Sequence, residues 1–241
     1  MEKIADGFKG ERAIILPDHI RAIEATNVIT KQLFVTHIGY YPHAKYHFRE
    51  RESGAKQYIL ILCEEGKGWV ICHGVRYSLS RNQVFIIPKN EAHIYGADED
   101  DPWSIYWIHF LGDHVGLFSA IIGKVIDTRD SYNSRNRDRF LLFQEIFQNL
   151  EMGYNHENLE YASICLMHFL ATIKYLSQFR EIKSIKELDT VQKSILYMKE
   201  HLEEKISLKE IAQYVGYSPS HFGNIFFKET SSSPISYYSQ A

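Results

Sequence analysis

The stretch Tyr58-Ile59-Leu60-Ile61-Leu62-Cys63-Glu64-Glu65-Gly66-Lys67-Gly68-Trp69-Val70-Ile71-Cys72 holds two short apolar runs on either side of a Gly-Lys-Gly turn. Both runs are rich in β-branched or aromatic residues and too short for a globular helix, so they read as paired strands. The same grammar extends outward. Upstream, Val35, Ile38 and Tyr40 mark another strand; downstream, His73-Gly74 turns the chain, Arg76-Tyr77-Ser78-Leu79 leads into Val84-Phe85-Ile86-Ile87, and Pro88 stops that run. Turn signals at this spacing predict a sandwich or barrel over 31–109. The block 103–110 (WSIYWIHF) places Trp103, Ile105, Trp107 and His109 on one face and Ser104, Tyr106, Ile108 and Phe110 on the other. Both faces are mostly apolar, which predicts a strand covered on both sides.

After Gly112 the apolar period lengthens. Phe140, Phe143, Phe147 and Leu150 recur at helical spacing, as do Leu159, Ser163, Leu166, Leu170, Ile173 and Leu176, with Gly153-Tyr154-Asn155 between the two sets. This predicts a helical hairpin over 137–179. Its second helix has a broad apolar face, flanked by Ile164, Phe169 and Tyr175. Such a face needs a partner, either the barrel or a second copy in a homodimer.

With 241 residues, 45% apolar and 24% charged, the chain has the composition of a soluble globular protein of one or two domains. No run is long and apolar enough to span a membrane, and the first residues lack a secretory signal. Three cysteines without CxxC spacing fit a reducing cytoplasm. The net charge of −3 gives no sign of a polyanionic partner.

The C-terminal segment reads as helices only. Val191, Ile195, Met198 and Leu202 share a face, and Ser207-Leu208-Lys209-Glu210 is a capping box opening a helix that stops at Gly216. Ser218-Pro219 restarts the chain with an N-cap hydroxyl and Pro at the first helical position. The second helix buries Phe222, Ile225 and Phe226 and turns Ser220, His221, Gly223, Asn224 and Phe227 outward. Helix, tight turn, helix is the helix-turn-helix pattern, whose second helix lies in the major groove. Ser218, Ser220, His221, Asn224 and Lys228 are the candidate DNA-contacting residues; Asn224 has the donor and acceptor to pair with adenine. The plain helical hairpin and a solvated polar face are the competing readings.

The string 206–230 (ISLKEIAQYVGYSPSHFGNIFFKET), followed by Pro234 and Tyr237-Tyr238, resembles the first helix-turn-helix of AraC/XylS-type transcriptional regulators. Upstream, Arg51…Tyr58-Ile59-Leu60, Gly66-Lys67-Gly68, Pro88…His93-Ile94-Tyr95-Gly96 and Trp103…Trp107…Phe110-Leu111-Gly112 fall in the order of that family's ligand-sensing domain. The resemblance implies an α+β chain. A cupin-like double-stranded β-barrel (14–127) and the helical pair (137–179) form an effector-binding and dimerisation domain, 1–180. A linker (181–190) and an all-α partial DNA-binding domain (191–241) follow. The family uses two helix-turn-helix units, and the sequence ends where the helix joining them is expected to start, so the DNA-binding domain is expected to be truncated. Phe227 stands where the motif has a basic residue, and Ser231 where Gly is usual. Residues 187–241 carry five Lys/Arg against seven Asp/Glu, so weak DNA binding is expected of this chain by itself.

The family implies a small-molecule effector, plausibly a carbohydrate, in the barrel. In sugar-binding members an Arg, a Tyr and a Trp contact the sugar; by position these are Arg51, Tyr95 and Trp107. A His of an arabinose-sensing member corresponds to Ile105. Arg49 competes with Arg51 for the anchoring role, Trp107 also reads as a barrel filler, and His93 either faces the pocket or braces its turn. Cupins also include metalloenzymes. Here Lys45 stands where the first metal-ligating His belongs, leaving His47 and His93, short of the roughly three ligands a catalytic metal needs. His43 and His47 read as polar strand or loop residues. The expectation is a regulator with no metal or cofactor. A metal-dependent cupin enzyme using His47 and His93, and a stand-alone sugar-binding sensor without DNA binding, are the alternatives.

Overall fold

The computed structural model describes residues 3–129, 134–180 and 188–240. The chain divides into two compact units, Met1–Arg180 and Glu181–Ala241. Most of the expected 181–190 linker, residues 181–187, lies outside the described residues.

The first unit is a cupin-like double-stranded β-barrel of two antiparallel sheets. The larger contains β1 (Arg12–Ile15), β2 (Phe34–Tyr41), β9 (Ser104–Leu111), β4 (Tyr58–Glu65), β7 (Gln83–Ile87) and β10 (Val125–Asp127), in that spatial order. The smaller runs β3 (Phe48–Arg51), β8 (His93–Ala97), β5 (Lys67–Cys72) and β6 (Val75–Ser80). The β4–β5 hairpin turns at Gly66, whose φ of +68° is the left-handed conformation that glycine adopts without steric cost.

The uninterrupted apolar runs follow from the layering. On β4, Ile59, Ile61 and Cys63 face the space between the sheets, while Leu60 and Leu62 face outward. On β9, Ile105 and Trp107 point in, and Tyr106, Ile108 and Phe110 point out. The outward set is covered by α2 (Asn136–Glu151) and α3 (His156–Lys174), through Phe143, Ile146, Phe147, Leu166, Phe169 and Leu170. Each fully buried Leu, Ile or Phe there contributes about 1.5–3 kcal/mol. The apolar face of α3 thus packs against both α2 and the barrel. Phe169 is fully buried, whereas Ile164 and Tyr175 remain exposed.

Asn155 caps α3, its side chain accepting from the Asn158 amide. Arg139 is buried in the helical layer, where its guanidinium donates to the Thr172 carbonyl and to Asn136 Oδ1. Sequence periodicity did not reveal β1, the short helix α1 (Asp18–Glu24) or the 3-10 segments Thr30–Gln32 and Val115–Ile121. A strand of four residues and helical pieces of seven or fewer are too short to establish a period.

The second unit contains α4 (Thr190–Glu200), α5 (Leu208–Tyr214), α6 (Pro219–Thr230) and α7 (Pro234–Tyr238) around a core of Val191, Met198, Ile211, Ala212, Phe222 and Phe226. Capping boxes open α4 at Asp189 and α5 at Ser207, and Ser218 caps α6 with Pro219 at its first position. Leu202 departs from expectation. The helix ends at Glu200, His201 caps it, and Leu202 lies 47% exposed beyond the stripe. Ile225 is only partly buried. The α6 helix ends at Ser231, a non-glycine residue with φ of +56°.

Candidate functional site: an aromatic-walled barrel cavity

A β-bulge determines what the barrel interior offers. The β2–β9 register slips between Val35 and His37, so Val35 and Ile38, three residues apart, both reach the outer core. The shift turns His37, Gly39 and Tyr41 toward the inside. Gly39 pairs with Trp107 across the two strands, and a Cβ on Gly39 would overlap the indole, so only glycine leaves room for that ring.

The resulting cavity holds about 350 Å³. Its wall includes Ile59, Ile61, Ile105, Trp107 and His109 from the large sheet, Tyr95 from the small one, and Arg49 and Arg51 from β3. The N-terminal segment closes its rim with Asp6, Glu11, Ala13 and Ile15. Rings run around it in an unbroken belt. The centroid separations are 5.5 Å for Tyr95–His47, 5.3 Å for His47–Tyr41, 5.2 Å for Tyr41–Trp107, 5.5 Å for Trp107–His109 and 4.9 Å for His109–His37.

Arg51 ends β3, where it pairs with His93 of β8. Its Nη1 donates to His93 Nε2 at 3.3 Å and to Tyr95 Oη at 3.2 Å. His93 lies behind this contact and outside the cavity wall. Its Nδ1 donates to the Glu91 carbonyl at 2.7 Å, which leaves Nε2 as the acceptor of the neutral ring. His93 therefore braces the guanidinium. The nitrogen a metal would need is already taken by a cation, so the donor set does not suit a metal. Arg49 is ion-paired with Asp6 at 2.8 Å.

His47 is also more than a polar loop residue. It is 3% exposed, and its Nδ1 accepts from Trp103 Nε1 at 3.1 Å. Burial, aided by Arg49 and Arg51, pushes its pKa down to about 3. Burial likewise takes His37 down to about 4, with help from Arg21 and Arg51, and holds His109 well below its ordinary range. All three rings are neutral at physiological pH.

Of the sequence-predicted residues, the fold brings Arg51, Tyr95, Trp107 and Ile105 onto one cavity, with His93 behind Arg51. Sequence reading placed His109 on the face of Trp107 without assigning it to the site, and missed His37 and Tyr41. The i, i+2 spacing of His37-Gly39-Tyr41 was the available signal, hidden by the bulge.

On the second unit, Ser220, His221, Asn224 and Lys228 are exposed on α6, and Ser218 spends its hydroxyl capping that helix. Phe227 stands 59% exposed among them, and the His221 ring lies 5.1 Å from that of Tyr217. Among the described residues, no helix is long and apolar enough to cross a membrane.

The chain has relatives among known operon regulators. The chain is 26% identical over 218 residues to the MmsAB operon regulatory protein of Pseudomonas aeruginosa, covering 89% of this chain and 69% of that protein. It is 21% identical to the lactose operon transcription activator of Staphylococcus xylosus, covering 74% and 64% of the two chains. It is 22% identical to the arabinose operon regulatory protein of Salmonella typhimurium, covering 79% and 68%. The chain thus spans roughly two thirds of the length of these relatives. A solved structure of ToxT from Vibrio cholerae aligns over 86% of this chain and 96% of its own, with 13% identity and a TM-score of 0.32. The three sequence relatives are named as operon regulators. Residues 34–170, which hold β2 to β10 and nearly all of the helical pair, match the AraC-like ligand binding domain, and the chain belongs to that family of regulators.

Proposed function

We propose that this chain is a ligand-responsive DNA-binding transcriptional regulator whose barrel senses a sugar or related small polar molecule. The observation carrying this reading is the cavity itself: about 350 Å³, bounded by a guanidinium and an indole on opposite strand pairs. A fork of donors beside a flat apolar ring is what a polyhydroxylated ligand requires. The relatives named for lactose and arabinose operons support the sugar class. Arg51 anchors the ligand with Tyr95 beside it, Trp107 stacks on it, and Ile105 sets its shape.

The α6 helix, bearing Ser220, His221, Asn224 and Lys228, is the groove-reading element, and Ser218 fixes its first turn. The exposed Ile164 and Tyr175 of α3 are assigned to a homodimer contact. Ligand control then requires that the effector bind two arrangements of the regulator with different affinity.

A screen of mono- and oligosaccharides by thermal melting tests the sensing half. The cognate ligand raises the melting temperature, and Arg51→Ala combined with Trp107→Ala abolishes that rise. No shift across the screen removes the sugar assignment. Gel shift against DNA upstream of the chain's own gene tests the other half, with Asn224→Ala weakening the specific complex. Sedimentation tests the dimer, with Ile164→Asp expected to yield monomer.

A further inference from the structure

The hydrogen-bonding inventory of the cavity wall is lopsided. Arg51 has two neutral neighbours, His93 and Tyr95, and no carboxylate partner among the described residues. The two acids at the rim are both engaged elsewhere. Asp6 pairs with Arg49, and Glu11 Oε2 accepts from the amides of Gly7 and Phe8 at 2.7 and 2.8 Å.

The tautomer of His47 follows from geometry. An indole N–H can only donate, so the Trp103 bond makes His47 Nδ1 an acceptor and places the ring hydrogen of the neutral form on Nε2. Among the described residues that Nε2, the donor Nε1 of Trp107 and His109 Nδ1 have no hydrogen-bond partner, and all three nitrogens are buried from solvent. All three rings line the cavity. The wall therefore holds one guanidinium, Arg51, whose hydrogen-bond partners are neutral, while the Asp6 and Glu11 carboxylates at the rim are engaged with other groups.

We propose that the effector is an anion: a small hydroxylated carboxylic acid of the sugar-acid or hydroxy-acid class, with its carboxylate on Arg51 and its carbon skeleton against Trp107. This rests on the effector reading above and narrows its chemical class. A carboxylate is acceptor-only and matches the guanidinium fork, whereas a neutral sugar brings a donor with every hydroxyl and leaves the charge of Arg51 uncompensated. The charge of Arg51 acts on the histidines around it. After burial, which is the larger cause, Arg51 contributes to the lowered pKa of His37, His47, His93 and His109.

The test uses matched pairs on the whole chain by calorimetry and thermal melting: glucuronate against glucose, galacturonate against galactose, gluconate against sorbitol, and glycerate against glycerol. At least one acid is expected to bind about ten-fold or more tightly than its neutral partner, as a charge-assisted contact would give. Arg51→Gln is expected to remove that preference, and Arg51→Lys, which keeps the charge, to restore part of it. Circular dichroism and the unliganded melt establish that both variants are folded. Neutral members binding as well as the acids, or Arg51→Gln weakening both alike, overturns the anionic assignment and leaves the effector reading in place. Binding of no compound of either kind overturns both.

Discussion

Gly39 lies directly across from Trp107 in the β2–β9 ladder, and the missing side chain of the one is the space occupied by the ring of the other. The pairing sets the depth of the cavity, because the indole rests on the β2 backbone and does not fill the barrel. Trp107 is thereby both a wall and, at 8% exposure, part of the core.

Gly39→Ala separates these two roles. The new Cβ would meet Trp107 Cε2 and the Arg12 carbonyl, each at 2.6 Å. The ring must move inward, at a cost of about 1–3 kcal/mol typical of overpacking. The expected result is a lower urea midpoint together with loss of effector-induced stabilisation. An unchanged effector response in the folded variant would count against Trp107 as the stacking surface.

Glu24 makes stability depend on pH. It is 2% exposed, its Oε2 has no hydrogen-bond partner among the described residues, and burial raises its pKa to about 8 from an ordinary 4.5. The folded state therefore holds a proton that the unfolded state releases, so stability is greatest below pH 4.5 on this account and falls as pH rises toward 8. The slope is on the order of 1 kcal/mol per pH unit in that window. Glu24→Gln is expected to flatten the profile and to be more stable than the parent at pH 8, as measured by urea unfolding at pH 5, 6.5 and 8. Parallel profiles would contradict the assignment.

Ser231 closes α6 in the left-handed region at φ of +56°, where a side chain is strained. Ser231→Gly relieves the strain and loosens the unfolded chain, leaving a net gain of about 0.5–1 kcal/mol. Thermal unfolding of the Glu181–Ala241 unit should show a higher midpoint. A lower one would show that the Ser231 side chain matters more than the strain.

The Trp103–His47 hydrogen bond predicts a spectroscopic result. Nitrogen-15 shifts should report His47 protonated at Nε2 and unprotonated at Nδ1, and the ring should stay neutral down to about pH 3, or to the pH at which the chain unfolds. Trp103→Phe frees Nδ1, so a mixture of tautomers should appear. A single unchanged tautomer in that variant would show that another contact fixes the ring.

Much of this protein was legible in its residues. The apolar runs at 58–63 and 84–87 are strands because β-branched residues suit a pleated surface. They are uninterrupted because one face meets the opposite sheet and the other meets α2 and α3. The caps at Ser207 and Ser218 and the turns at Gly66 and Gly216 are local chemistry, decided within four or five residues, so sequence alone placed them. Arg51, Tyr95, Ile105 and Trp107 were identified through resemblance, and spacing by itself could not have brought together β3, β8 and β9.

Tertiary structure decided the rest. The bulge between Val35 and His37 reverses which residues face inward, and a period-two reading cannot foresee a single extra residue. The charge balance of the cavity was equally invisible. It depends on Asp6 reaching Arg49, on Glu11 folding back onto its own backbone, and on Trp103 holding His47, contacts spanning up to 56 residues of chain. Local propensity acts through neighbouring backbone atoms, whereas a pocket's electrostatics sums over groups that meet only once the sheets have closed.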